Sequence, residues 1–153
     1  MTPSFVFVDA STEIAAPRER VFAHWTDPAA RERYEVPPGS GMRYLNFATK
    51  QDEVEEIEIT HDGALVGRLM QRMVILEPPE LIVSQITGVF GGVNTMALQV
   101  TTQFIETDNG TFIRGSGQVV DRTGREVKAE HEAGWAQMFE TFRADFFEHG
   151  PKE

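Results

Sequence analysis

One stretch constrains this chain more than any other: Arg125 to Glu148 contains no proline, and its apolar residues keep helical time. Trp135, Met138, Phe139, Phe142 and Phe146 recur at offsets of three, four, seven and eleven. On a helical wheel they occupy about a third of the circumference. Glu130, Gln137, Glu140 and Glu148 lie away from that stripe, and Gly150-Pro151 ends the helix. At about 1.5 Å per residue the helix is about 36 Å long. An aromatic stripe of that length needs an apolar surface to cover it, so the rest of the chain must supply one.

What precedes the helix reads as strands. Ser4 to Ile14 is rich in β-branched and aromatic residues and predicts the first. Ala16-Pro17 ends it and starts a short helix carrying Val21, Phe22 and Trp25 on one face, and Asp27-Pro28 starts a second, Pro28 to Tyr34. Pro37-Pro38-Gly39-Ser40-Gly41 stops that one. Further strands are predicted over Arg43–Thr49, Glu53–Thr60, Ala64–Leu76, Leu81–Thr87, Thr95–Glu106 and Thr111–Val120. His61-Asp62-Gly63 and Asp108-Asn109-Gly110 are hairpin turns, because these residues tolerate positive φ. In the fifth of these six strands Met96, Leu98, Val100 and Phe104 share one face, with Thr101 and Gln103 opposite. Ile57 and Ile59 take one face of an acidic strand and Glu56 and Glu58 the other, a solvated one. Gly115 and Gly117 suggest a bulge or bend. Gly134 inside the long helix suggests close approach of a strand or ligand. The order (strand, two short helices, six strands, long helix) predicts one α+β domain over residues 1–153, with helices on one side of a curved antiparallel sheet.

Acidic residues outnumber basic ones 24 to 14, a net charge of -10, which disfavours nucleic acid and anionic membrane surfaces as partners. The N-terminal residues lack a basic n-region and no stretch suits membrane insertion, so the expected location is cytoplasmic. The absence of cysteine excludes disulfides, thiolate metal sites and cysteine nucleophiles. His131-Glu132 begins like a zinc-protease helix, but Trp135 stands where its second histidine belongs. His24, His61 and His149 share no ligand spacing, so no metal is expected. Gly115-Ser116-Gly117 leads into a strand rather than a helix, and no nucleophile elbow occurs, so no cofactor is expected.

Three local patterns, in this order along the chain, carry a resemblance: Ala16-Pro17-Arg18-Glu19-Arg20-Val21-Phe22 running into Trp25-Thr26-Asp27-Pro28, then Glu77-Pro78-Pro79-Glu80-Leu81-Ile82-Val83, then His131-Glu132-Ala133-Gly134-Trp135. The chain resembles the START-related helix-grip (SRPBCC) superfamily, and within it the branch named after the activator of the ninety-kilodalton heat-shock chaperone ATPase. Members of that branch often carry an acidic-x-Arg-x-Gly-Gly segment after the second helix. This chain has Asp52-Glu53-Val54-Glu55-Glu56-Ile57-Glu58 instead, so relatives' ligand preferences are not carried over.

The resemblance implies a helix-grip fold, a sheet of about seven strands wrapped round the C-terminal helix with an apolar cavity between them. The residues expected to line it are Phe22, Trp25, Met96, Leu98, Val100, Arg114, His131, Trp135, Met138, Phe139 and Phe142. His131 sits on the sheet-facing stripe about 40° from Trp135 and is expected near the cavity mouth, contacting a ligand head or hydrogen-bonded to a loop. The leading function is binding of a small hydrophobic molecule (a lipid, polyketide or aromatic metabolite). A cyclase- or hydrolase-like enzyme using His131, Glu132 or Arg114 to polarise a carbonyl comes second. A co-chaperone that activates a chaperone ATPase comes third, because the larger activator carries an N-terminal domain that does not precede Thr2 here. No catalytic set emerges from spacing alone, and a homodimer stays open.

Overall fold

The structure, a computed structural model, describes residues 4–151. These form strands β1 (Ser4–Ile14), β2 (Met42–Tyr44), β3 (Val54–His61), β4 (Ala64–Glu77), β5 (Leu81–Phe90), β6 (Val93–Thr107) and β7 (Gly110–Asp121), with helices α1 (Arg18–Thr26), α2 (Pro28–Tyr34) and α3 (Lys128–His149). The strands make one antiparallel sheet in the order β1-β7-β6-β5-β4-β3-β2. This is the expected α+β helix-grip architecture. Asp27 closes α1 and caps α2, whose Pro28 fits the first helical position. Asp62 and Gly63, at φ 51° and 80°, form the positive-φ turn between β3 and β4.

Several boundaries differ from the sequence reading by one to five residues, β5 for instance running on to Phe90 rather than Thr87, and two of them have a clear local reason. β2 stops at Tyr44, not Thr49, because the Asn46 side chain replaces its backbone at the sheet edge. Nδ2 donates to the Val54 carbonyl at 2.9 Å and Oδ1 accepts from the Glu56 amide at 3.1 Å. The chain then crosses inward, burying Ala48. α3 begins at Lys128, not Arg125, because Asp121 accepts from the Thr123 amide at 2.7 Å and holds the preceding residues in a turn. Only after the buried Val127 does the helix run.

Period-two alternation sets the inner face of the sheet: Val8 and Ile14 on β1, Leu98 and Phe104 on β6, and Ile113 and Val119 on β7 are all buried. Gly115 and Gly117 mark no bulge, since β7 pairs without a break on both sides. They make room for α3. A Cβ at Gly117 would lie 2.7 Å from the Trp135 ring, and one at Gly115 would lie 3.3 Å from Phe139. The bulges fall elsewhere, between Ile59 and Thr60, Met73 and Ile75, and Gly88 and Val89. Gly134 faces open space, with nothing within 4 Å of a would-be Cβ, so the predicted close approach is absent and nothing in the structure explains this glycine.

α3 also serves the free edge of β1. Lys128 Nζ donates to the Phe7 carbonyl at 2.7 Å, the Asp9 amide donates to Glu132 at 3.1 Å, and Arg143 donates to the Glu13 carbonyl at 3.0 Å. No helix among the described residues is long and apolar enough to cross a membrane.

Candidate functional site: an interior cavity with one charged wall

Between the sheet and α3 lies a cavity of about 210 Å³. Its lid is Trp135, Met138 and Phe139 of α3, and its floor is the inner face of β3 to β6, including Ile57, Leu69, Met73, Ile82, Ile86 and Val100. Trp25 and Thr26 of α1 border one side. Most of this lining is apolar because these are the inward positions of alternating strands and the stripe of an amphipathic helix.

The far wall is different in kind. Arg31 of α2, Glu35 at its C-cap, Tyr44 of β2 and Gln71 of β4 line the cavity around the fully buried Glu55 of β3. Arg31 clamps Glu55 with both terminal nitrogens, Nη1 to Oε1 at 2.8 Å and Nη2 to Oε2 at 2.7 Å. Its Nε donates to Glu35, one helical turn on. Glu55 also accepts from the Ala48 amide at 2.9 Å and from Gln71 Nε2 at 2.6 Å. Tyr44 donates its hydroxyl to Glu35 at 3.2 Å, and the guanidinium lies 5.1 Å from the ring centroids of both Tyr44 and Phe47. Burial pushes the Glu35 carboxyl above the usual carboxylate range, and the attraction of Arg31 does not offset it. Burial also raises the Tyr44 phenol, and the Glu35 charge adds to that. Burial alone would lower Arg31, but Glu55 and Glu35 outweigh it, so the guanidinium stays charged.

Two further polar groups continue this wall across the floor. Gln71 is the register partner of Glu55, Ser84 is diagonal to Gln71, and Thr102 is diagonal to Ser84. Ser84 and Thr102 are only 6% and 7% exposed, and both line the cavity.

A second charged cluster ties the three helices together behind the cavity. His24 Nε2 meets Asp145 Oδ2 at 2.7 Å, and Arg33 donates to both Asp145 oxygens at 2.8 and 3.1 Å. Burial opposes ionisation of Asp145, yet the hydrogen bonds from Arg33 and His24 outweigh it and hold the carboxyl below its usual range. Among the described residues no three His, Asp or Glu side chains converge as a metal-binding set.

The predicted site residues separate into three groups. Trp25, Val100, Trp135, Met138 and Phe139 line the cavity. Phe22 and Phe142 lie in the solid core beside it, and Met96 and Leu98 join Val8 and Val119 in a second apolar cluster against Trp135. Arg114 and His131 stand apart. Arg114 is exposed on the outer face, because its neighbours Ile113 and Gly115 take the inward positions of β7. His131 lines a shallow surface depression with Met96, Asp121 and Trp135, beyond the end of the cavity. Glu132, with its carboxyl lowered first by the Asp9 amide and then by Lys128, is engaged at the sheet edge.

Sequence reasoning passed over Arg31, Glu35, Glu55 and Ser84. One signal was available. Glu55 stands two residues before Ile57, so a period-two strand that buries Ile57 buries Glu55 as well, and a buried carboxylate needs a cation.

The family described as "Activator of Hsp90 ATPase homolog 1-like protein" matches residues 15–146. Among solved structures, an uncharacterized protein from Rhizobium leguminosarum superposes with a TM-score of 0.85 at 18% identity, covering 97% of this chain and 98% of that one. The Mll3558 protein from Rhizobium loti gives 0.84 at 19% identity, covering 95% and 99%. Ara h 8.0201 gives 0.72 at 10% identity, covering 95% and 100%. At these identities the likeness is one of fold. No curated protein matches the sequence.

Proposed function

This chain belongs to the Activator of Hsp90 ATPase homolog 1-like family, and we propose that its task is to bind a small, predominantly apolar molecule inside the fold. One observation carries the reading: an interior space of about 210 Å³, lined mainly by Trp25, Ile57, Met73, Ile82, Val100, Trp135 and Phe139. Close-packed interiors leave few voids larger than a water molecule. An apolar cavity of about 150 Å³ already takes benzene, so this one suits a compound of one or two rings better than a long-chain lipid. The polar groups concentrated on one wall would fix the orientation of such a guest, as in ligand pockets generally.

The test is native mass spectrometry of freshly purified protein beside Val100→Phe, which fills the space from the floor. A small-molecule adduct on the wild type that is lost from the variant is the expected result. Wild-type protein that carries nothing, and whose unfolding temperature no member of a library of one- and two-ring compounds raises, would refute the reading.

A further inference from the structure

Charge accounting around the cavity narrows the class of guest. Arg31 is the sole cationic residue among the described residues that line the space, and its charge is already matched by two carboxylates. Its Nε is committed to Glu35 and its two terminal nitrogens to Glu55. Two carboxylates therefore face one guanidinium, so a guest carboxylate would enter without a counter-charge and beside Glu35. Desolvating an unpaired anion in an apolar enclosure is strongly unfavourable.

The neutral polar groups point the other way. Ser84 and Thr102 are more than nine-tenths buried overall, their hydroxyls make no hydrogen bond among the described residues, and both line the cavity rather than being sealed in the core. Gln71 uses its amide nitrogen on Glu55, and among the described residues its carbonyl oxygen accepts no hydrogen bond. Buried hydroxyls are normally satisfied. Here the two residues sit diagonally on adjacent strands, about 7–8 Å apart between Cα atoms, on a mostly apolar floor beside the charged wall.

We propose, building on the cavity reading above, that the guest is a neutral ring compound bearing hydroxyl or carbonyl oxygens. Ser84 and Thr102 recognise those oxygens, and the self-satisfied Arg31–Glu55–Glu35 cluster turns carboxylates away. The specificity of the site is thus set by two hydroxyls and by an arginine whose charge is already matched.

Naphthalene, 2-naphthol and 2-naphthoate share a ring body and differ in this one respect. The two tryptophans of the chain, Trp25 and Trp135, both line the cavity, so their indole N–H resonances report binding. In titrations near pH 7, 2-naphthol is expected to bind about tenfold tighter than naphthalene and at least tenfold tighter than 2-naphthoate. The double variant Ser84→Ala/Thr102→Val should bring 2-naphthol down to the affinity of naphthalene and leave naphthalene within about twofold. Binding of 2-naphthoate as tight as that of 2-naphthol overturns the proposal. So does a 2-naphthol preference that survives the double variant, or naphthalene binding as well as 2-naphthol. Silence of both indoles with all three probes, at concentrations near their solubility limits, overturns the cavity reading and this proposal with it.

Discussion

Helix α3 carries one continuous aromatic stripe, yet its two halves meet different surroundings. In the C-terminal half Phe142 is closed in by Trp25 at 4.8 Å and Tyr34 at 5.1 Å between ring centroids, and His24 stands 5.4 Å from Phe146. In the N-terminal half Trp135 rests by one edge on Gly117 of β7, but with Met138 it also borders the space over the other strands, and the cavity remains. The helix is the same, so its partners make the difference. α1 and α2 wedge between α3 and the sheet at one end and do not reach the other. Facing inward and being packed are therefore separate properties, and a hydrophobic period reports only the first.

The charged clusters differ in the same way. Arg31 and Arg33 sit two residues apart on α2, so they point to different sides. Arg31 serves the cavity wall from a buried position, 6% exposed at its side chain, whereas Arg33 reaches Asp145 from 38% exposure. The largest expected effect tests this contrast. Glu55→Ala removes the two-pronged partner of the buried Arg31 guanidinium and leaves Glu35 alone to pair with it, and urea unfolding should register a loss of about 3–5 kcal/mol. Asp145→Ala strands a guanidinium that water can rehydrate, so the loss should be roughly half that. Equal losses would mean that the two clusters are energetically alike.

Next in size is the contrast along α3. Phe142→Ala removes a ring that is wholly enclosed and should cost about 3–4 kcal/mol. Trp135→Ala removes a larger ring bordered by empty space, so fewer contacts vanish, and about 1–2 kcal/mol is expected. A tryptophan loss equal to the phenylalanine loss would show the cavity to be closed in solution.

Smallest, and opposite in sign at the two clusters, is the response to pH. The Asp145 carboxyl is held low in the folded state, so its stabilising contribution is present above its unfolded value of about 3.9 and is lost as pH falls through the folded value. The Glu35 carboxyl is held high, so its contribution is full below about 4.3 and is lost as pH rises through the folded value. Relative to wild type, Asp145→Asn should lose more stability near about pH 7 than near about pH 3. Glu35→Gln should gain relative to wild type as the pH rises from about 4 to about 8. Thermal unfolding across that range decides it, and parallel profiles for the two variants would erase the distinction.

Most of the architecture is legible in the sequence because it depends on local signals. The stripe from Trp135 to Phe146, the Asp27-Pro28 break and the Asp62-Gly63 turn each act within a few residues. The cavity is only half legible. Trp135, Met138 and Val100 follow from periodicity, but which inward residues border a void depends on sheet curvature and on bulges such as the one at Met73/Ile75, which no short-range pattern encodes. Arg114 shows the cost of one error of phase: a residue displaced by one along a strand changes face. The charged wall was legible only at Glu55, which the period of β3 turns inward with Ile57; its partner was not. Arg31 lies 24 residues from Glu55 and alone reads as surface. Only their meeting makes both buried.

The three hydrogen bonds from α3 to the open side of β1 have a consequence for the protein's life among its own copies. An unpaired strand margin invites another chain to add itself, the step by which sheets grow into fibrils. Lys128, Glu132 and Arg143 occupy the Phe7, Asp9 and Glu13 positions where such an addition would start. The helix that lids the interior thus doubles as a guard against self-recruitment, and a chain whose last helix is lost would lose its solubility together with its cavity.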